Sequence, residues 1–304
     1  MSGILEGKVV AITGAGRGIG RAVAMLCAAQ GAAVVVNDYG GSLAGTGQDA
    51  GPGAQTVAEI KEAGGKAFAN FANIAEPGGA ASVIEDAVRE FGRIDAVVNN
   101  AGVTRDVLFH KMSLEDWHTV VNVHLNGSFY VSHAAAGYFR AQGSGAYVHI
   151  TSTSALIGNV GQSNYSAAKL GIVGLSNSIA LDMQRFGVRS NCIAPFAWSR
   201  MTESIPARTE QERQRVERFQ SMTPEQIAPM VAVLCSDTAS GVSGQIFAVR
   251  KNEIFLFNSL RPLRGLHRSQ GWTVDNIATE LLPAVKSDLK PLMVSSELFC
   301  WDPV

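Results

Sequence analysis

The sequence predicts an α/β chain built on a doubly wound parallel sheet. Three observations predict it. Short β-branched apolar runs alternate with helix-length stretches through about residue 195. A glycine-rich turn separates the first run from the first helical stretch, as in a nucleotide-binding βαβ unit. An apolar content of 46% and a net charge of −1 over 304 residues describe a chain that can bury a sizeable core.

In chain order, residues 8–13 (KVVAIT) read as a first strand, apolar on both faces. Residues 18–30 are alanine-rich and helical, and Gly31 is a natural stop. Strand 33–38 (AVVVND), helix 54–63, strand 66–70, helix 78–91 and strand 94–99 (IDAVVN) follow. Ser113 caps a long helix reaching residue 140, with Asp116 three positions on as its capping-box partner. Residues 146–152 (AYVHITS) form a strand, 164–186 a helix and 188–194 (VRSNCIA) a strand. Strands spaced by such helices imply parallel pairing through right-handed crossovers.

Two stretches break the rhythm. Residues 40–53 (GGSLAGTGQDAGPG) are a flexible glycine-rich loop. Residues 195–223 begin irregularly and then hold a charged helix, 209–220, which reads either as a lid over a site or as a solvated surface helix. After Phe257 the alternation ends, and Arg261, Arg264, His267 and Arg268 form a basic cluster. There are no internal repeats.

Composition narrows the function classes. No basic excess marks a nucleic-acid partner, and no run of about 18 apolar residues marks a membrane span. The N-terminus lacks a secretory pattern and the C-terminal residues Trp301–Val304 are not a peroxisomal SKL-type address, so a bacterial cytoplasm is expected. Four dispersed cysteines (Cys27, Cys192, Cys235, Cys300) read as buried apolar residues, with neither a disulfide frame nor a metal site.

The turn Thr13-Gly14-Ala15-Gly16-Arg17-Gly18-Ile19-Gly20 lets backbone approach a pyrophosphate at a helix N-terminus. Asp38 ends the second strand, where a carboxylate accepts bonds from ribose hydroxyls and repels a 2′-phosphate. No basic residue lies between Asp38 and Lys61 to neutralise such a phosphate, whereas Arg17 points the other way. The reading is NAD. Tyr165 and Lys169 form an i, i+4 pair on one helix face, and a nearby ammonium stabilises a phenolate enough for general acid/base work. Ser152 closes a strand thirteen residues earlier, where its hydroxyl can hold the same substrate oxygen.

TGAGRGIG, Asn99-Asn100-Ala101-Gly102, Ser152 and the Tyr165/Lys169 pair, in this order over about residues 5–250, resemble the short-chain dehydrogenase/reductase family. The resemblance implies a Rossmann-type seven-stranded sheet and hydride transfer to or from a nicotinamide. It implies Tyr165 as acid/base, Lys169 as ribose-binding depressant of its pKa, Ser152 as oxygen anchor and Asn100 as a backbone contact near the cofactor. Gly14, Arg17, Gly18, Ile19, Gly20, Asp38, Asn73, Ile74, Ala197 and Ser199 would complete the NAD site. It implies a homodimer or homotetramer packed through the helices at 113–140 and 164–186. Residues 1–257 would form the dehydrogenase domain, and 258–304 an extension packing on it or across a dimer.

Val36-Asn37-Asp38-Tyr39-Gly40-Gly41 with its insertion, Gly158-Asn159-Val160-Gly161-Gln162-Ser163-Asn164-Tyr165, Ala194-Pro195 and Ser199-Arg200-Met201-Thr202 resemble one branch. That branch is the (3R)-hydroxyacyl-CoA dehydrogenase unit of peroxisomal multifunctional enzyme type 2 (17β-hydroxysteroid dehydrogenase type 4), with its bacterial stand-alone relatives. It implies oxidation of a 3-hydroxyacyl-CoA in fatty-acyl or sterol side-chain β-oxidation. The rivals are an NADPH-dependent 3-oxoacyl reductase and an alcohol or steroid dehydrogenase that does not use CoA.

Three residues depart from the family pattern. His124 stands where most members have asparagine in a water-linked proton relay, and reads as a relay group or as a space-filling core histidine. Asn73 replaces an aspartate that faces the adenine amine. Pro195-Phe196-Ala197-Trp198 replaces a small turn beside the nicotinamide, and either reshapes the acyl pocket or packs beneath the lid. The basic cluster reads as a holder of CoA phosphates or as a solvated tail.

Overall fold

The computed structural model describes residues 3–198, 209–258 and 260–304. Its sheet comprises β1 (Val9–Thr13), β2 (Ala33–Asn37), β3 (Lys66–Asn70), β4 (Ala96–Asn99), β5 (Gly145–Ile150), β6 (Val188–Phe196), β7 (Ile246–Arg250) and β8 (Glu253–Phe257). The spatial order is β3-β2-β1-β4-β5-β6-β7-β8. β1 through β7 pair in parallel, as the helix-spaced apolar runs require. The chain reverses direction across the sheet between β1 and β4, which opens a crevice at the carboxyl ends of those strands. Thr13, Asp38 and Asn100 all sit on that edge.

The expected count of seven is corrected by β8, which pairs antiparallel with β7 from Arg250↔Glu253 to Ile246↔Phe257. A two-residue connection, Lys251-Asn252, cannot make a parallel crossover, and Lys251 adopts φ +55° to close the hairpin. The exposed positions of β8, Ile254 and Leu256, alternate with the inward Phe255 and Phe257.

Helices cover both faces. On one, α1 (Gly18–Ala29) brings Val23 and Cys27 against Val10, Ile12, Val34 and Val98. On the same face lies α2 (Gly51–Glu62), which starts three residues earlier than the sequence predicts because Pro52 suits a first helical turn. The opposite face is covered by α3 (Pro77–Phe91) and the helices after β4. The predicted 113–140 helix is two: α4 (Leu114–Val121), with the Ser113/Asp116 capping box in place, and α5 (Gly127–Gln142). Between them Asn122–Asn126 is a π-helical turn. After β5 come the single turn α6 (Thr153–Leu156) and the long α7 (Ser163–Met183). The charged helix is α8 (Glu210–Gln220), and α9 (Ala228–Cys235) packs against α1.

The segment beyond β8 returns to the sheet. Phe299 lies edge-on to Phe196 and Phe255, with ring centroids 4.9 and 5.2 Å away. Asn252 N–H donates to the Val304 carbonyl at 2.9 Å, and Ser295 N–H to the Gly158 carbonyl at 3.1 Å. Cys27, Cys192 and Cys235 are buried, whereas Cys300 is exposed, contrary to its reading as a buried residue. No helix among the described residues is long and apolar enough to cross a membrane.

Candidate active site

The glycine turn is shaped by close backbone approach. Gly14 has φ +64°, and a Cβ there would lie 2.8 Å from Ala101 Cα. A Cβ on Gly20 would lie 2.2 Å from Gly14 O and 2.6 Å from Asn100 Nδ2. Asn100 clamps the turn from β4: its Nδ2 donates to Thr13 O at 2.9 Å and to Gly14 O at 3.0 Å. Thr13 Oγ1 accepts the Asn100 and Ala101 N–H groups. The result is a side-chain-free cradle at the α1 N-terminus. Its residues fit a dinucleotide pyrophosphate, which needs free N–H groups and no Cβ.

Asp38 is fixed beside it. Its Oδ2 accepts Gly16 N–H at 2.6 Å and its Oδ1 accepts Gly40 N–H at 2.8 Å. Arg17 swings outward, its Nη2 3.4 Å from Asp49 Oδ2 on the glycine-rich loop. Ile19 is half-buried against the core. Asn73 is engaged in its own turn, accepting Ala75 N–H and donating to Glu76. Ile74 points into the core, where its side chain seats on Gly127. Ala197 also packs on the core. Ser199, together with Arg200-Met201-Thr202, lies outside the described residues.

The other predicted residues converge. Ser152 caps α6, its Oγ accepting Ser154 N–H at 3.2 Å, and its hydroxyl lies beside the Tyr165 phenol. Burial pushes the Tyr165 phenol up to about 12, against the lowering pull of the Ser152 hydroxyl, and the nearby Asp106 charge adds to the rise. Lys169 is buried one turn along α7, its Nζ 5.7 Å from the Tyr165 ring centroid. That ammonium donates to Ile150 O at 2.6 Å, and burial brings its pKa down to about 7.

His124 is brought to this group by the π-helical turn, and lies edge-on to Tyr165 with ring centroids 5.2 Å apart. Its Nε2 sits 2.7 Å from Val103 O, while its buried Nδ1 has no partner among the described residues. Burial, helped by the Lys169 charge, holds the imidazole well below its ordinary pKa, so it is neutral. A Cβ on Gly102 would lie 2.2 Å from His124 Cε1, so the glycine of the Asn99–Gly102 motif makes room for the ring.

Sequence reasoning missed Asp106. Burial raises its pKa, opposed by the hydrogen bond in which Gln162 Nε2 donates to its Oδ2 at 2.6 Å. It also missed Asp49. Both lie in loops, where no periodicity or motif marks them. Of the aromatics at the end of β6, Phe196 packs on Phe299 of the tail, whereas Trp198 N–H donates to Met222 O at 2.6 Å, ahead of α9. The basic cluster is largely internal to the tail. Arg264 bonds Ala284 O and Asp288, and Arg268 pairs with Glu280.

Comparison with known proteins identifies the family. A family model described as enoyl-(acyl carrier protein) reductase matches residues 14–251. A short-chain type dehydrogenase/reductase of Mycobacterium tuberculosis is 46% identical over 77% of this chain and 79% of that protein. The chain belongs to the short-chain dehydrogenase/reductase family. Mouse peroxisomal multifunctional enzyme type 2 is 43% identical over 80% of this chain, which spans only 32% of that larger protein. A 3-oxoacyl-[acyl-carrier-protein] reductase of Synechocystis is 40% identical over 81% of this chain and 96% of its own length. The crystal structure of a short chain dehydrogenase from Mycobacterium avium superposes with a TM-score of 0.83 at 36% identity, covering 96% of this chain and 99% of that one. As a short-chain dehydrogenase/reductase, the protein is an oxidoreductase acting on CH–OH groups with a nicotinamide cofactor.

Proposed function

We propose that this short-chain dehydrogenase/reductase oxidises the 3-hydroxyl of a 3-hydroxyacyl-CoA to the 3-oxoacyl-CoA with NAD. The observation that carries the chemistry is the convergence of Ser152, Tyr165 and buried Lys169, whose Nζ lies 5.7 Å from the Tyr165 ring centroid. Ser152 donates to the substrate oxygen and holds it against Tyr165. Tyr165, as phenolate, takes the hydroxyl proton. Lys169, in its protonated form, would supply positive charge beside the Tyr165 phenol, which burial otherwise keeps protonated. The nicotinamide, when bound, supplies the hydride acceptor. Gly14, Gly18 and Gly20 would receive the pyrophosphate, and Asp38 the adenosine ribose.

The acyl-CoA substrate is supported by the match to the multifunctional enzyme, and NAD by the fixed Asp38 carboxylate. One observation favours a second reading, reduction of a 3-oxoacyl thioester: the Synechocystis reductase matches over nearly its whole length. A homodimer or homotetramer is supported by exposed apolar side chains on the two long helices, Phe129 and Tyr138 on α5 and Leu170 and Leu181 on α7.

The test is NADH formation from (3R)- and (3S)-hydroxyacyl-CoA, each offered with NAD and with NADP. Turnover of the R-thioester with NAD alone is expected. Reaction only in the reductive direction with NADPH replaces this reading with the second. NAD binding without turnover of either thioester overturns the acyl-CoA assignment and turns attention to free alcohols and steroids.

A further inference from the structure

We propose that Asp49 is a cofactor-discriminating residue: it occupies Arg17 and thereby denies NADP the guanidinium that would neutralise its 2′-phosphate. The inference rests on the NAD reading of Asp38 and adds a second, separate acid to it.

Arg17 is the basic residue inside the glycine turn. A cleft of about 570 Å³ opens beside it, lined by Gly16, Arg17, Gly18, Arg21, Asp49 and Gln55 among others. Both guanidiniums in that cleft face an acid. Arg17 Nη2 lies 3.4 Å from Asp49 Oδ2, and Arg21 pairs with Glu59, which Gln55 also bonds. With Asp38 on the adjoining wall, three carboxylates surround two arginines, so an arriving phosphate dianion meets no uncompensated positive charge there.

Asp49 is held in place by the loop. Its second carboxylate oxygen, Oδ1, accepts Gly51 N–H at 2.9 Å at the start of α2. Its backbone abuts Gly40, where φ is +75° and a Cβ would lie 1.8 Å from Asp49 O. The glycine-rich insertion thus closes on itself and delivers one carboxylate to one arginine. Because both side chains are about half exposed, the pair contributes little to stability. Its consequence is what Arg17 is left free to bind.

The test uses adenosine 2′,5′-bisphosphate and 5′-AMP as nicotinamide-free probes, with dissociation constants measured by calorimetry at low salt on the full chain. Asp49→Asn keeps an oxygen for Gly51 N–H, and its urea midpoint verifies the fold. The expected result is a shift of about tenfold in the ratio of the two constants toward the bisphosphate, shrinking as salt is raised. The double variant Asp49→Asn with Arg17→Gln should return to the wild-type ratio. An unchanged ratio in Asp49→Asn, or a gain that survives Arg17→Gln, overturns the proposal while leaving the Asp38 reading intact. A wild-type protein that already prefers the bisphosphate overturns the NAD reading itself, and this inference with it.

Discussion

Replacing Lys169 with methionine should abolish turnover and yet make the protein more stable at neutral pH. The buried ammonium has its pKa brought from the ordinary 10.5 to about 7 by desolvation. The unfolded chain therefore holds a proton, between pH 7 and 10.5, that the folded chain has released, and wild-type stability rises with pH across that window. The stability lost to Lys169 is fully present at and below pH 7, amounts to about 5 kcal/mol there, and disappears above the unfolded pKa. Methionine removes that cost and fills similar volume, but forfeits the hydrogen bond to Ile150 O, worth about 1–2 kcal/mol. The expected net gain is about 3 kcal/mol at pH 7, shrinking and changing sign by about pH 10.5. Urea unfolding of both proteins at several pH values between 6.5 and 10.5 reads this directly, and the difference cancels groups common to both. A variant less stable than wild type at pH 7, or a gap that does not change with pH, refutes the reasoning.

Three further outcomes follow from the same geometry. Tyr165→Phe should lower kcat by about 10²–10⁴ while calorimetry still detects dinucleotide binding, since the cradle at Gly14 and Gly20 is untouched. Gly20→Ala, whose Cβ would strike Gly14 O, should cost about 1–3 kcal/mol in urea unfolding and eliminate dinucleotide binding, whereas Gly137→Ala on α5 meets no atom within 4 Å and should stabilise slightly. Arg264→Glu removes a partly exposed ion pair and an exposed bond to Ala284 O within the tail, so it should change stability by about 1 kcal/mol or less and shift KM for acyl-CoA and for a short pantetheine analogue equally; a selective loss for acyl-CoA would restore the CoA-phosphate role of the cluster.

The parallel strands were legible because a strand buried on both faces has no choice but a short apolar run, and VVAIT, AVVVN and AVVN have no other use. β8 was not, because EIFLF follows β7 after two residues and only the register shows that it turns back to pair. The break in the long helix was hidden for a related reason. A π turn leaves apolar spacing almost unchanged in sequence while rotating one face by part of a turn. Only in three dimensions does buried Ser132 meet Asn99 across the core, where Asn99 Nδ2 donates to Ser132 Oγ at 2.9 Å.

Legibility of the site follows the rigidity of what carries each residue. Tyr165 and Lys169 ride one helix and Ser152 follows directly on β5, so spacing alone restricts them to one neighbourhood. Asp49 rides a loop of glycines at positive φ, such as Gly45 and Gly47, whose path no periodicity encodes, so its meeting with Arg17 depends on long-range packing at Gly40. The tail arginines lie between these cases. Their clustering in sequence suggests a shared anion, but Asp288 and Glu280 follow in the same tail, and pairing within the tail brings together groups already tethered. A basic cluster with acids 12 and 24 residues away is therefore better read first as a self-neutralising fold. It becomes a ligand site only where a guanidinium is left over, and among the described residues of this tail Arg261 is the arginine without an ion pair to examine for that role.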